Sequence, residues 1–194
     1  MTTMLTKHEK DYLLQVARAA LEAAANQLKL PSLDLKALPE RLQAPGASFV
    51  TLTKSGALRG CIGALNAKVP LAEDVSQHAL DAALHDHRFF PVQPDETKSI
   101  AIEVSVLSQP QPIPSEDPEM IPQVLRPGVD GVVILSGDRR ATFLPQVWEK
   151  VPAPEQFLTM LCQKAGMPGK AWKERDVEIL IYQVESFHED TPAE

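Results

Sequence analysis

Apolar positions along the chain follow two spacings, one typical of helices and the other typical of strands. Over residues 7–28 they recur every three to four positions in a segment rich in strong helix formers, which predicts an amphipathic helix. The same spacing predicts a second helix over 70–86, which begins at a proline and has acidic residues in its first turn. A third helix is predicted over 151–166.

Shorter apolar runs predict two hairpins and two further strands. "ASFVTLT" and "ALRGCIGAL" flank the turn signal "KSG", and "GVVIL" and "ATFL" flank "SGDRR". "SIAIEVSVL" alternates strictly, so Glu103 is expected on the more polar face of that strand. "VEILIYQVESF" is predicted to be the last strand.

The order hairpin, helix, strand therefore occurs twice, over about 49–107 and 132–187. This order predicts an α+β fold in which a duplicated unit forms one mixed or antiparallel sheet with helices outside. The length of 194 residues suits one compact domain over 1–194. Proline-rich segments over 31–46 and 109–127 interrupt the regular pattern and are expected to be linkers or lids.

Composition narrows the class of protein. Apolar residues make up 44% and charged residues 23%, as in ordinary globular proteins, and the longest apolar runs are too short to cross a membrane. Charged residues appear early at the amino terminus, which does not resemble a secretory or transit signal, so a cytoplasmic location is expected. The net charge of −7 argues against a general nucleic-acid binder.

Candidate chemistry is concentrated in the six residues "LRGCIG". On an extended strand Arg59 and Cys61 point to the same face, and a neighbouring guanidinium favours the reactive thiolate form of cysteine. Gly60 and Gly63 permit a bulge or the close approach of a ligand or another backbone. The alternative is that Cys61 is a small buried apolar residue, which is the commoner role of an unpaired cysteine.

Other titratable residues have competing interpretations. Cys162 lies among apolar residues of the third helix and is expected in the core. Asp86 and Arg88 in "HDHRFF" could clamp a carboxylate or phosphate, or could only pair with each other at the helix end. Glu103 either has a buried partner, with Arg59 and Arg88 as candidates, or faces water.

The sequence contains none of the common metal, nucleotide or hydrolase motifs, so no metal and no cofactor are expected. Polar residues on one side of the second helix resemble a metal cluster but are better explained as a solvated face: Glu73, Asp74, Gln77, His78, Asp81, His85 and Asp86.

The motifs "FVTLTKSGALRGCIGAL", "PLAEDV", "DHRFFPV", "IEVSVLSQP", "FLTMLCQKAG" and "AW" together resemble the AMMECR-type domain, also called AmmeMemoRadiSam system protein A. The likeness extends from Lys7 to Glu189 and includes the unchanged hexapeptide Leu58–Gly63. The resemblance implies a duplicated α+β fold around a barrel-like sheet. It also implies an association with a Memo-type protein and a radical S-adenosylmethionine protein, and it implies no reaction. His87 departs from the small residue or proline expected between Asp86 and Arg88.

Two functions remain open at this stage. In the first, Cys61 reacts with a small or anionic substrate, Arg59 stabilises the anion, and Glu103 or His85 transfers a proton. In the second, the Leu58–Gly63 segment binds a ligand or partner for the radical enzyme, whose own cysteine cluster this chain lacks. In either case the surface formed by Arg59, Cys61, Asp86, Arg88 and Glu103 is expected to lie between the two repeats, with Gly60 and Gly63 as further substrate-binding candidates.

Overall fold

The computed structural model describes residues 4–115 and 117–189. Helices occupy the following ranges: α1 Lys7–Ala25, α2 Glu40–Gln43, α3 Leu71–Leu84, α4 Ile121–Val124 and α5 Pro154–Lys164. Strands occupy the following ranges: β1 Pro45–Lys54, β2 Ala57–Gly63, β3 Val69–Pro70, β4 Ile100–Leu107, β5 Gln111–Pro112, β6 Gly131–Ser136, β7 Arg139–Phe143, β8 Glu178–Tyr182 and β9 Val184–His188. The three predicted helices and both hairpins are present.

Contacts divide the described residues into two compact units, one of residues 4–107 and 185–189 and the other of residues 108–115 and 117–184. We call these unit 1 and unit 2. In unit 1 the strands lie in the order β2-β1-β4-β9, and β3 pairs with β1. In unit 2 the order is β5-β8-β6-β7.

The duplication predicted from the sequence is present in the strand order. In unit 1 the hairpin β1–β2 is followed by α3 and by β4, which pairs antiparallel with β1. In unit 2 the hairpin β6–β7 is followed by α5 and by β8, which pairs antiparallel with β6. The first strand of each hairpin is therefore central in its sheet.

The expectation of one mixed, barrel-like sheet is corrected by this topology, although the α+β class is confirmed. The strands form two separate antiparallel sheets that are not closed into a barrel. The unit 1 sheet has five strands and the unit 2 sheet has four, each with open edge strands.

The last predicted strand is two strands in different sheets. Its break lies at Gln183, whose carbonyl accepts from the Ser108 N–H at 2.9 Å and whose N–H donates to the Ser108 hydroxyl at 2.9 Å. With both backbone groups engaged in this way, Gln183 ends the ladder of β8. The segment 177–187 was predicted to be one strand, and nothing in its sequence singles out Gln183 as the place where the strand breaks.

The core of unit 1 lies between its sheet and the helices α1 and α3. Alternate residues of β1 and β4 are fully buried on that side, including Val50, Leu52, Ile102 and Val104. The intervening residues of the same strands lie on the opposite face and are in part exposed, apart from the buried Ala47, Ser105 and Leu107. Alternation along β1 and β4 thus places every second residue on the sheet face opposite the helices.

Candidate functional site

A row of three polar side chains crosses the open face of the unit 1 sheet. Cys61 of β2 is directly opposite Thr51 of β1, and Thr51 is directly opposite Glu103 of β4. Residues paired in this way point to the same face. The Thr51 hydroxyl donates to the Cys61 Sγ at 3.3 Å, and Cys61 is half-buried, so its thiol is neither sealed in the core nor fully free.

A bulge changes the geometry predicted for Arg59. The β1–β2 register shifts between Leu52 and Thr53, so strict alternation fails at Arg59. Its guanidinium donates to both Glu96 oxygens, at 3.2 Å from Nε and at 2.5 Å from Nη2. Nη1 donates to the Phe90 carbonyl at 3.0 Å. Arg59 is thus paired with Glu96, which lies outside the residues proposed from sequence.

Glu96 is the centre of a small charged network. Lys54 donates to it at 2.9 Å in addition to Arg59, and the Gln93 N–H donates at 3.0 Å. The Arg59 hydrogen bonds, reinforced by Lys54 and the Gln93 N–H, lower the pKa of Glu96 to about 2 against the opposing effect of burial. Glu96 therefore carries its negative charge throughout the neutral range.

Asp86 organises the backbone around Cys61. Its Oδ2 accepts from the Cys61 N–H at 2.8 Å and from Arg88 Nη2 at 2.7 Å. Its Oδ1 accepts from Arg88 Nε at 2.9 Å and from the Arg88 N–H at 3.2 Å. These four donors fill the acceptor sites of a carboxylate. The side chain is 4% exposed, so the predicted solvated position of Asp86 is wrong.

The hydrogen bonds to Asp86 also fix its charge. The Arg88 side chain is the main cause that holds the pKa of Asp86 well below its usual range, and the backbone N–H groups of Cys61 and Arg88 add to it against the effect of burial. Since its oxygens are all engaged, Asp86 positions β2 and Arg88 in the described structure.

Arg88, rather than Arg59, is the cation that contacts Cys61. The Asp86 carboxylate is the main cause that raises the pKa of Arg88, against the opposing effect of burial. Arg88 Nη2 also lies 3.3 Å from the Cys61 carbonyl oxygen. The side chain is 58% exposed, and its Nη1 makes no hydrogen bond to any residue in the described ranges.

The two glycines of the hexapeptide have a packing explanation. A Cβ on Gly60 would lie 2.2 Å from the Ala82 carbonyl oxygen of α3, and a Cβ on Gly63 would lie 2.4 Å from the Phe49 ring. The space that a side chain would fill is therefore occupied by the protein itself. The predicted contact of Gly60 and Gly63 with a ligand stays a prediction.

The polar side of α3 is only partly solvated, which corrects the sequence interpretation. Asp74 and His78 are buried, and the Ser48 hydroxyl of β1 donates to Asp74 Oδ2 at 2.6 Å. His78 Nδ1 lies 3.1 Å from the same oxygen and 3.3 Å from the hydroxyl. His85, by contrast, is 60% exposed and contacts Asp81. A polar strand residue beneath the helix explains the difference.

The remaining cysteine differs from Cys61. Cys162 is fully buried in α5 within the core of unit 2, as expected, and burial raises the pKa of its thiol. Across residues 4–115 and 117–189 there is no group of three or more histidine, cysteine or acidic residues that could hold a metal ion. No helix in those ranges is long and apolar enough to span a membrane.

The structure thus brings most of the predicted site residues together within unit 1. Cys61, Asp86 and Arg88 are in mutual contact, and Arg59 lies in the adjoining Glu96 network. Glu103 lies two strands from Cys61, so the two residues do not touch. The placement of this surface between the two repeats stays a prediction. Sequence reasoning missed Thr51, Glu96 and Lys54.

One of the missed residues did have a sequence signal. Glu96 lies three residues after Gln93, the spacing of a capping box, and its carboxylate accepts from the Gln93 N–H at 3.0 Å at the start of the turn Pro94–Ser99. Nothing in the sequence linked that cap to Arg59, which lies 37 residues away.

Comparison with known proteins gives the family. The AMMECR1 family model matches residues 14–187. A protein of Methanothermobacter thermautotrophicus is 37% identical over 194 residues, covering 96% of this chain and 97% of that protein. A protein of Thermofilum pendens is 34% identical, covering 97% of this chain and 93% of its own length.

A solved structure agrees with these likenesses. The crystal structure of an uncharacterised protein from Pyrococcus horikoshii has a TM-score of 0.77 and 34% identity, and the match covers 93% of this chain and 91% of that one. The family model and the solved structure each match nearly the whole chain, and the chain belongs to the AMMECR1 family.

Proposed function

We propose that Cys61 is the nucleophile of a reaction on a small substrate with an anionic group, and that Arg88 holds that group beside the sulfur. The observation that carries the proposal is the contact set of Cys61: a half-buried thiol that accepts from Thr51, next to an arginine that is 58% exposed. A fully buried thiol would have favoured a packing role. Cys162 is buried in this way, whereas Cys61 is only half-buried.

The charges around the hairpin support an anionic partner. The Glu96 network contains two cations, Lys54 and Arg59, and one carboxylate, which leaves one positive charge in excess. Arg88 and Asp86 balance each other, but Arg88 extends into solvent while the carboxylate is buried. An anion approaching this end of the sheet therefore meets guanidinium and ammonium groups, in a chain whose net charge is −7.

The distance between Glu103 and Cys61 limits the part that Glu103 can play in proton transfer. Two strand spacings separate it from Cys61, which is about 10 Å between Cα atoms. Glu103 therefore cannot take the thiol proton directly, and we assign it to the far end of a bound substrate or to a water-mediated step. Thr51 lies between the two residues and donates to the sulfur, so we place it in the site as a positioning residue.

A second candidate function is binding without catalysis, in which this surface holds a partner such as a Memo-type or radical S-adenosylmethionine protein. Its support is Phe90, which is 91% exposed although Arg59 anchors its backbone carbonyl. Leu58, which precedes Arg59 in β2, is also exposed, at 44%. A fixed, exposed aromatic side chain is a common anchor in protein interfaces.

Alkylation by iodoacetamide at neutral pH separates the two functions. We expect Cys61 to react at least about 10-fold faster than Cys162 in the folded protein, because a buried thiol reacts only after local opening. Arg88→Ala should slow the reaction of Cys61 by roughly 3–10-fold, because the guanidinium stabilises charge on sulfur. Arg59→Ala should slow it less, since Glu96 already pairs with Arg59.

The rate for each thiol is read by mass spectrometry of the labelled peptides, and full denaturation provides the control in which both thiols react alike. Comparable slow labelling of both thiols in the folded protein would exclude the nucleophile and leave the binding function.

A further inference from the structure

Strand β9 lies next to β4 in the unit 1 sheet, and two contacts fix the register of the pair. The Ser105 and Ser186 hydroxyls lie 2.8 Å apart, and the Glu189 N–H donates to the Ile102 carbonyl at 3.0 Å. From the first contact to the second, β4 runs back by three residues while β9 runs forward by three, so the two strands are antiparallel and keep one register. In this register the residue before Glu189 is directly opposite the residue after Ile102.

Those two residues are His188 and Glu103, and they form a cross-strand pair on the sheet face opposite the helices. Directly opposed residues of an antiparallel pair point to the same face and have Cβ atoms about 5 Å apart. Phe187 is in the core, so its neighbour His188 lies on the other face of β9. The polar row across the sheet therefore consists of Cys61, Thr51, Glu103 and His188, one from each strand.

Glu103 is a carboxylate whose charge the fold does not use. It is half-buried, and it makes no hydrogen bond or ion pair with any other residue that the structure describes. Its neighbours on the same face of β4, Ala101 and Ser105, have small side chains, so the strand itself does not cover the carboxylate. A partly buried carboxylate is stabilised by a cation or a hydrogen-bond donor, and a bound ligand would supply one here.

The two ends of the row differ in charge. At the β2 end the exposed Arg88 guanidinium lies beside Cys61, 3.3 Å from its carbonyl oxygen. The Glu103 carboxylate lies two strand spacings away, which is about 10 Å between Cα atoms. His188 is exposed and adds a ring nitrogen that accepts a hydrogen bond when the imidazole is neutral. The row is thus complementary to a molecule with an anion at one end and an ammonium group at the other.

We propose that Glu103 and His188 bind a primary ammonium group of the substrate, about 10 Å from the anion that Arg88 holds. The substrate class is then an elongated zwitterion, with its reacting carbon next to the anion and its amine at the far end. This inference rests on the proposed function, because Cys61 and Arg88 place the reacting end. Glu103 and His188 bind and orient the substrate and take no part in the step at sulfur.

The test compares how fast two reagents of equal length alkylate Cys61 in the folded protein. N-(4-aminobutyl)iodoacetamide carries an ammonium group about 9 Å from its reactive carbon, and N-(4-hydroxybutyl)iodoacetamide carries a neutral hydroxyl there. In both reactions the thiolate displaces iodide and forms a carbon–sulfur bond. At about pH 8, where imidazole is neutral and the amine is charged, we expect the amino reagent to react about 3–5-fold faster than the hydroxyl reagent.

Variants assign the effect to the pair. The ratio of the amino rate to the hydroxyl rate should fall by about 3–5-fold in Glu103→Gln, which loses the charge, and by about 2-fold in His188→Leu, which loses one acceptor. Glu22→Gln is the matched control, because Glu22 is exposed on α1 at the other side of the sheet, and it should leave the ratio unchanged. The hydroxyl rate itself should stay constant in all three variants, which shows that Cys61 is undisturbed.

Reagent length gives a test that needs no variant. N-(2-aminoethyl)iodoacetamide holds its ammonium group only about 6 Å from the reactive carbon, so it should lose most of its advantage over the hydroxyl reagent of the same length. An advantage that does not depend on length would show that the amine is attracted only by the net charge of the protein.

Equal rates for the two longer reagents in wild type would overturn the ammonium site while Cys61 remains a nucleophile. The site is also overturned if the ratio is unchanged in Glu103→Gln or in His188→Leu, or if it falls as far in Glu22→Gln as in Glu103→Gln. If neither reagent labels Cys61 in the folded protein, the proposed function itself fails, and the ammonium site fails with it.

Discussion

Asp86→Asn should destabilise the protein by about 2–4 kcal/mol at neutral pH, because it weakens a carboxylate that accepts four hydrogen bonds while 4% exposed. An asparagine has only one oxygen that can accept hydrogen bonds. Its NH₂ group would face donors that now bond to the second carboxylate oxygen. The loss is measured as the free energy of urea unfolding. Asp95→Asn is the matched control, because Asp95 is exposed in the next turn, and it should change stability by less than about 0.5 kcal/mol.

The pH dependence of the same variant has a definite sign. The folded pKa of Asp86 is depressed below its ordinary value of 3.8, so its contribution to stability is fully present above that value and is lost as the pH falls below it. The difference between wild type and Asp86→Asn should therefore be constant from pH 7 to about 5 and shrink in more acidic solution. A difference that grew on acidification would contradict the assignment of Asp86 as a charged anchor.

Gly60→Ala should be about as damaging, at roughly 2–4 kcal/mol, and for a steric reason. The new methyl group would lie 2.2 Å from the Ala82 carbonyl oxygen, which belongs to the backbone of α3 and cannot rotate away. Either β2 moves off the helix or the bulge rearranges, and both responses displace Cys61. Thermal unfolding measures the loss of stability, and the labelling rate of Cys61 reports the displacement.

Leu58→Ala is the control for this prediction, because it changes an exposed residue of the same strand and should cost less than about 1 kcal/mol. If Gly60→Ala were as stable as Leu58→Ala, the close packing of β2 against α3 would be wrong.

The parts of the structure that could be predicted from the sequence are those set by local periodicity. The helical spacing of apolar residues predicted the buried faces of α1 and α3. The "SG" turn signal predicted the hairpin, and Ser55 and Gly56 both have positive φ, at 50° and 77°. Whether the Cys61 thiol is exposed could not be predicted, because the alternation of a strand assigns a residue to one face of the sheet and does not show what covers that face.

The parts that could not be predicted depend on contacts between distant segments. The burial of Asp74 and His78 depends on the Ser48 hydroxyl, which lies 26 and 30 residues away in the chain. The pairing of Arg59 with Glu96 depends on a bulge that the simple period of a strand does not show. As a result the cation next to Cys61 was expected to be Arg59, whereas in the structure Arg88 contacts the Cys61 carbonyl oxygen.

The central claim, that Arg88 holds an anionic group beside the Cys61 sulfur, is tested most directly by the ratio of two alkylation rates at Cys61. Iodoacetate and iodoacetamide differ mainly in charge, so their rate ratio reports an anion site next to the thiol and is insensitive to changes in thiol reactivity. Lys29→Gln removes an equal charge from an exposed position and is the control.

We expect the ratio of iodoacetate to iodoacetamide to fall by about 3–10-fold in Arg88→Gln, as the loss of one close charge contact implies, and to change little in Lys29→Gln. An equal ratio in wild type and Arg88→Gln, with Cys61 still labelled in both, would contradict the account.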